Sequence, residues 1–209
     1  WNWKANGQGS SNTDGSINTT YTSVNTTSGF SIVQYTGNAV IGATVGHGLA
    51  AVPKMIIIKS RNTTSLWGVY HQAIGNTHGL FLNATNAATS LSAYWNNTSP
   101  TSSVFSLGGD ADINQSSDPL IAYCFAEKQG YSKFGSYTGN GSTDGTFIYT
   151  GFKPAFVMIK NITQAEDWNM GDNKRNITYP SGGNVNNAEL KANSAGVEVD
   201  RSTRGGGIT

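Results

Sequence analysis

The sequence is poor in charged residues, in cysteine and in long apolar runs. Charged residues make up 12% of the 209 residues, whereas a soluble domain ordinarily carries about 25%, and the formal net charge is only +1. Nucleic acids and anionic membrane surfaces bind clustered Lys and Arg, so this composition excludes both as partners. No apolar run approaches the ~20 residues of a membrane-spanning helix. The single cysteine, Cys124, excludes an intrachain disulfide and is expected to be a small buried hydrophobe.

Asn, Ser, Thr and 26 Gly take the place of charge, which favours turns and neutral β surfaces over helices. The run Met55–Ile58 is apolar at every position, which predicts a central strand covered on both sides. Short segments rich in Ile, Val, Phe and Tyr, bounded by Gly, Asn, Asp or Pro, are predicted strands. They span residues 30–35, 54–59, 66–71, 79–83, 104–107 and 120–126. The predicted fold class is all-β.

The chain contains an internal repeat with a spacing of 101 residues. Three anchors recur at that spacing: Pro53 with Pro154, Lys59 with Lys160, and Trp67 with Trp168. A period near 100 residues suits a duplicated sandwich-sized unit rather than a solenoid. The repeat predicts two tandem β-sandwich-like units with Gly-, Asn-, Ser- and Thr-rich loops. Residues 29–129 form the first unit, residues 130–209 a diverged or incomplete second unit, and residues 1–28 a connector or the end of a preceding element.

The residue patterns do not predict a catalytic or metal site. His47, His71 and His78 lack the spacing of zinc ligands, so three unrelated surface histidines are the favoured interpretation. The run from Asp110 to Asn114 imitates the start of a calcium loop, but no Gly or Glu follows where the loop requires them, which favours a solvated hairpin loop. Neither a nucleophile elbow nor a diagnostic carboxylate pair is present. We therefore expect a protein without catalytic residues or cofactors.

Aromatic residues and glycosylation sequons are the remaining candidate contact sites. Trp67 and Trp168 hold equivalent repeat positions, which predicts a shared core role. Tyr94 and Trp95 lie at a predicted strand end and are the candidates for exposed rings that stack on sugars. Ten N-x-S/T sequons would matter in a glycosylating host. Their asparagines are Asn18, Asn25, Asn62, Asn83, Asn96, Asn97, Asn114, Asn140, Asn161 and Asn176.

Several sequence stretches resemble a domain that recurs in structural and fibre proteins of aquatic tailed bacteriophages, including cyanophages. They include GFSIVQYTGN, AYWNNTSPTSSVFSLG, IAYCFAE and GYSKFGSYTGNGSTDGTFIYTGFKPAFVMIK, and the resemblance covers residues 1–168. It brings no catalytic residue with it. The resemblance implies a virion location, non-enzymatic assembly and contact with a host surface.

Together, these observations predict a virion structural protein, either a tail fibre or a capsid-surface fibre. Its partners would be copies of itself, other virion proteins and host-surface polysaccharide, because weak contacts gain strength when many copies act together. The alternative is a secreted or cell-surface β module, either glycan-binding or the subunit of a glycosylated extracellular filament. A polysaccharide depolymerase ranks third.

Overall fold

The computed structural model describes residues 2–142, 144–174 and 188–200. The fold is all-β, as predicted, with short helical turns. Two compact units are distinguished. The larger unit comprises Asn2–Leu82 and Ala88–Gly135, and the smaller unit comprises Asn83–Ala87 and the described residues from Ser136 onward.

The larger unit is built from nine short strands, six of which closely follow the predicted segments. The strands are β1 (Tyr21–Asn25), β2 (Phe30–Thr36), β3 (Thr44–Gly46), β4 (Met55–Ser60), β5 (Gly68–His71), β6 (His78–Phe81), β7 (Thr89–Ser90), β8 (Val104–Ser106) and β9 (Pro119–Phe125). A 3-10 helix (Gln72–Ile74) follows β5, and two single-turn helices, α1 (Ser92–Trp95) and α2 (Ala111–Asn114), flank β8.

Seven of these strands form one antiparallel sheet in the order β1-β2-β9-β4-β5-β6-β7, and β3 pairs with β8. β4 lies between β9 and β5, which confirms the central strand predicted from Met55–Ile58. Residues 1–28, predicted to be a connector or the end of a preceding element, contain the strand β1. This strand pairs with β2 along its whole length and extends the sheet, and Thr22 and Ser23 on it are buried.

One face of the large sheet is the core face. Val33, Ala122 and Ile58 lie opposite one another on β2, β9 and β4, and all three are fully buried. Residues directly opposed on antiparallel strands point to the same face. Tyr35 on this face donates its hydroxyl to the Ile113 carbonyl at 2.7 Å. The helical turns and β8 therefore cover the core face and complete the hydrophobic core.

The smaller unit contains an antiparallel sheet in the order β10-β11-β12-β13. Its strands are β10 (Phe156–Lys160), β11 (Trp168–Asp172), β12 (Ala188–Lys191) and β13 (Val199–Asp200). β10 and β11 repeat β4 and β5 residue for residue, since Met55 opposes His71 and Phe156 opposes Asp172. Both pairs are related by 101 residues, so the spacing found in the sequence is retained in the strand pairing.

The repeat extends to the next two strands with a larger offset. His78 on β6 opposes Ser90 on β7, and Ala188 on β12 opposes Asp200 on β13. Each residue of the second pair therefore follows its counterpart in the first pair by 110 residues. The difference lies in the connection between β11 and β12, which is nine residues longer than that between β5 and β6. The two four-stranded arrangements therefore share order, direction and register.

Candidate assembly surface

The three histidines do not form a metal site. Among the described residues no cluster of His, Cys, Asp or Glu is arranged to hold a metal ion. The surface position predicted for His47 is wrong, because this side chain is fully buried. Its Nδ1 accepts the Leu49 N–H at 3.2 Å, and Nε2 lies 3.2 Å from the Thr101 carbonyl. This arrangement requires the neutral ring, protonated at Nε2, so His47 has a structural role.

The burial of His47 predicts that the protein loses stability in mild acid. Burial lowers the pKa of His47 below its ordinary 6.5, so the folded state resists the proton that the unfolded chain accepts. Stability is therefore full above pH 6.5 and falls as the pH decreases below it, by at most about 1.4 kcal/mol per pH unit for one group. Urea unfolding at several pH values between 7.5 and 5.5 measures this slope.

A His47→Gln variant provides the control for this pH dependence. It removes the titrating ring, so its free energy of unfolding should change less with pH than that of the parent chain. Half-buried His71, whose pKa burial also lowers, accounts for the remaining slope. Equal slopes in the variant and the parent would contradict the assignment to His47.

The calcium-like segment is a structural turn. The solvated hairpin loop predicted for Asp110–Asn114 is wrong, because residues 111–114 form α2 and Asp110 caps its N-terminus by accepting the Asp112 N–H at 2.9 Å. An Asp followed by helix-compatible residues is a common N-cap. The Asp112 carboxylate accepts the Tyr94 hydroxyl at 2.5 Å and the Leu66 N–H at 3.3 Å. The carboxylates of Asp110 and Asp112 therefore accept hydrogen bonds that stabilise this part of the fold.

The exposed position predicted for Tyr94 and Trp95 is also wrong. Only 2% of Tyr94 and 1% of Trp95 is exposed, because α1 turns both rings into the core. Burial is the main cause of a raised pKa of Tyr94, and the hydrogen bond to Asp112 raises it further. Neither ring is accessible to a sugar. Trp168 is buried and Trp67 is half-buried, in keeping with the predicted core role.

The sequons differ widely in accessibility. Asn114 is buried, and its amide donates to the Val40 and Gly108 carbonyls at 3.1 and 2.9 Å, so it is not available to a glycosyltransferase in the folded chain. Asn176 lies outside the described residues. Asn25, Asn96 and Asn161 are half-buried, whereas the exposed sequon asparagines are Asn18, Asn62, Asn83, Asn97 and Asn140.

The face of the seven-stranded sheet opposite the core is apolar and only partly exposed, because Phe30, Met55, Ile57 and Val69 on it are buried. We call it the outer face. Ile32, Tyr123, Ile121 and Phe125 on this face are half-exposed, although each lies within a sheet strand. The residues of the outer face form three rows, each made of residues that lie opposite one another on adjacent strands. The rows are Phe30, Phe125, Met55 and His71; Ile32, Tyr123, Ile57 and Val69; and Gln34, Ile121 and Lys59. Lys59 is the single charged residue among them, apart from the titratable His71.

Aromatic rings cover one end of the outer face. Phe30 and Phe125 pack with their ring centroids 4.9 Å apart, and Trp3 lies edge-on to Phe125 at 5.8 Å. Phe134 lies 6.3 Å from Phe125 and 6.4 Å from His71. The ring of Trp3 remains 42% exposed. Apolar rings of this size dominate the energetics of protein interfaces, so this end of the sheet is well suited to contact a partner.

A comparison with known protein families matches residues 1–205, nearly the whole chain. The chain belongs to the DUF7483 family. DUF7483 is a domain of unknown function, so membership assigns no activity to any residue. No curated protein and no solved structure matches the chain. The function of this DUF7483 chain must therefore be inferred from the chemistry of its own surfaces.

The residues that form the outer face of this DUF7483 chain were not selected by sequence motifs. The signal that could have found them is β9, in which Leu120, Ala122 and Cys124 alternate with Ile121 and Tyr123. A strand that is apolar on both faces is either buried on both or presents one apolar face to a partner. The sequence around Trp3 does not indicate that its ring lies over the sheet, because this position depends on contacts between residues distant in sequence.

Proposed function

We propose that the chain is a non-enzymatic structural subunit of a tailed bacteriophage particle, in a tail fibre or capsid-surface fibre. It assembles with copies of itself and with other virion proteins, and it presents a surface to host polysaccharide. The observation that carries this proposal is the part of the outer face where Ile32, Ile121, Tyr123 and Phe125 are half-exposed on adjacent strands, with little charge beside them. Exposed apolar patches of this kind mark sites of protein association.

The hydrogen bonds of the buried and half-buried polar side chains support a structural role. His47, Asp112 and Asn114 are residue types that serve in catalytic sites, but here each forms hydrogen bonds to backbone groups of neighbouring turns. Cys124 is buried between β2 and β4, and burial raises the pKa of its thiol to about 12, so it remains a neutral apolar side chain. Thiolate, rather than thiol, is the reactive form.

The proposal includes two tandem β-sandwich-like units derived from one ancestral repeat. Its support is the register shared by β4–β7 and β10–β13. Repetition of a unit along a chain suits a filamentous subunit, because each added copy extends the surface without a new fold. Many weak contacts with a polysaccharide would then act together.

A substitution on the outer face tests self-association. Tyr123→Lys places an ammonium group in the centre of that face, where its desolvation opposes burial against a second copy. Dissociation constants from sedimentation velocity should rise at least about tenfold, which corresponds to about 1.4 kcal/mol.

The matched control for this substitution is Ser116→Lys, which adds the same charge at an exposed position between α2 and β9. Its association should equal that of the parent chain. If Tyr123→Lys associates as strongly as the control, the outer face is not the assembly surface. A parent chain that stays monomeric at every concentration tested would likewise contradict self-assembly.

The virion location needs a separate experiment. Antibodies raised against the purified chain should label tails or capsid surfaces when applied to virus particles purified from the source culture. Labelling of cell surfaces or free filaments, with sugars on the exposed asparagines Asn18, Asn62 or Asn97, would favour the secreted or cell-surface module instead. Shortened polysaccharide after incubation with the protein would favour a depolymerase.

A further inference from the structure

The sequence contains the dipeptide Asn-Gly twice, at residues 6–7 and at residues 140–141. In this dipeptide the side-chain amide of asparagine lies beside a peptide nitrogen that no Cβ shields, because glycine has none. Asn6 and Asn140 are both exposed, and both glycines have a positive φ with open space around them. The two pairs therefore differ mainly in how the rest of the fold holds them.

The pair Asn6-Gly7 is anchored to the large sheet through Ser23 on β1. The Asn6 N–H donates to Ser23 Oγ at 2.9 Å, and the Ser23 hydroxyl donates to the Gly7 carbonyl at 2.6 Å. Ser23 is itself buried and lies opposite Ile32 on β2. A change in the backbone angles between Asn6 and Gly7 must therefore break hydrogen bonds to a buried side chain of the sheet.

The pair Asn140-Gly141 is held by groups of its own exposed loop. Asn140 Oδ1 accepts the Ser142 N–H at 3.1 Å, and Nδ2 donates to the Asp144 carbonyl at 2.9 Å. Within the described part of the chain, no hydrogen bond joins this pair to a strand. A loop with so few anchoring contacts opens at a small cost in free energy, so the Asn140 amide can reach the geometry in which the Gly141 nitrogen attacks it.

We propose that Asn140 is a site of spontaneous deamidation and that Asn6 is protected from it by the Ser23 anchor. The Gly141 peptide nitrogen attacks Asn140 Cγ and forms a C–N bond. The bond from Cγ to Nδ2 breaks, and the departing group takes up the Gly141 proton and leaves as ammonia. Water then opens the resulting cyclic imide at either carbonyl, which gives an aspartyl or an isoaspartyl residue. The reaction consumes water, involves no oxidation or reduction, and does not depend on a virion location.

Deamidation changes both the charge and the hydrogen bonds of this loop. A carboxylate replaces the neutral amide, so the chain loses its formal net charge of +1. The carboxylate cannot donate to the Asp144 carbonyl, which removes one of the bonds that close the loop. The product also lacks the sequon Asn140-Gly141-Ser142, so a chain that has deamidated cannot be glycosylated there.

Peptide mapping of the purified full chain tests the proposal. The chain is expressed in a host without N-glycosylation, incubated at neutral and at mildly alkaline pH, digested and analysed by mass spectrometry, with aspartyl and isoaspartyl peptides separated by chromatography. Asn140 should be converted at least about tenfold faster than Asn6, because only Asn140 lies in a weakly anchored loop. The rate should rise with pH, since the attacking nitrogen must lose its proton. No conversion at Asn140, equal conversion at both sites, or an aspartyl product without isoaspartate would overturn the proposal.

The unfolded chain provides the control for the two local sequences. In concentrated urea the Ser23 anchor is lost, so the rates at Asn6 and Asn140 should agree within about threefold. If Asn140 exceeded Asn6 in urea by the same factor as in the folded chain, the neighbouring residues rather than the fold would set the two rates. That result would disprove the protection of Asn6 by Ser23.

Two substitutions separate the effect of the reacting glycine from that of the anchor. Gly141→Ala places a Cβ beside the attacking nitrogen and should slow the conversion of Asn140 at least about tenfold. Ser23→Ala removes the anchor and should speed the conversion of Asn6 at least about threefold, while Asn140 stays within about twofold of the parent chain. Circular dichroism establishes that each variant is folded. An unchanged rate at Asn140 in Gly141→Ala, or at Asn6 in Ser23→Ala, would overturn the proposal.

Discussion

Replacing Trp95 by alanine should lower the free energy of unfolding by about 3–5 kcal/mol, the range for truncating a large buried aromatic residue. The ring is almost completely buried and lies edge-on to Tyr70 at 5.7 Å and to Tyr94 at 6.0 Å. Its removal leaves a cavity between α1 and the core face of the sheet. Urea unfolding followed by circular dichroism measures the loss, which is a large fraction of the ordinary stability of a domain.

The partly exposed Trp3 offers a comparison for Trp95. Trp3→Ala removes the same side chain from the surface, where less area is withdrawn from water, so the loss should be at most about 1.5 kcal/mol. If instead Trp95→Ala left stability unchanged and weakened binding to host polysaccharide, Trp95 would be a sugar contact, contrary to its buried position.

Replacing Ile58 by alanine should cost about 2–5 kcal/mol, because the side chain is fully buried in the central strand β4. The equivalent substitution in the repeat, Ile159→Ala, should cost at most about 1.5 kcal/mol, since half-buried side chains lose less transfer free energy. Both variants remove the same atoms at the same repeat position. Urea unfolding of each variant beside the parent chain measures the difference between the two sheets.

The equivalence of the two positions makes this comparison informative. Equal losses for Ile58→Ala and Ile159→Ala would show that β10 is as well packed as β4. Val197→Ala, at a position that is 90% exposed, should be nearly neutral and controls for the general effect of truncation.

Much of the sheet could be predicted from the sequence because its strands carry a strong local signal. The runs around Ile56 and Ala122 are apolar, rich in β-branched or aromatic residues and bounded by turn residues, so propensity and pattern agree. The 101-residue spacing of Pro53 and Pro154 also predicted the equivalence of β4 and β10. A repeat can be recognised directly in the sequence, without knowledge of tertiary contacts.

The turns between the strands could not be predicted in this way. Tyr94 and Trp95 are followed by a polar run that indicates a surface loop, yet one helical turn is enough to direct both rings inward. Gly68 on β5 makes room for this, because a Cβ there would lie 2.6 Å from the Tyr94 ring. The burial of His47 likewise depends on Thr101, which is distant in sequence. Such contacts are set by tertiary packing and leave no local pattern.

The unequal connections after β5 and β11 have a consequence for how this family can change. A nine-residue difference leaves the pairing of the following strands in the same register, so register is specified by the strands rather than by the segment that joins them. Closing a longer loop adds only a small entropic cost, about 0.6 kcal/mol for each doubling of its length. That connection is therefore a position where new sequence can be inserted, and new surface acquired, while the underlying sheet is conserved.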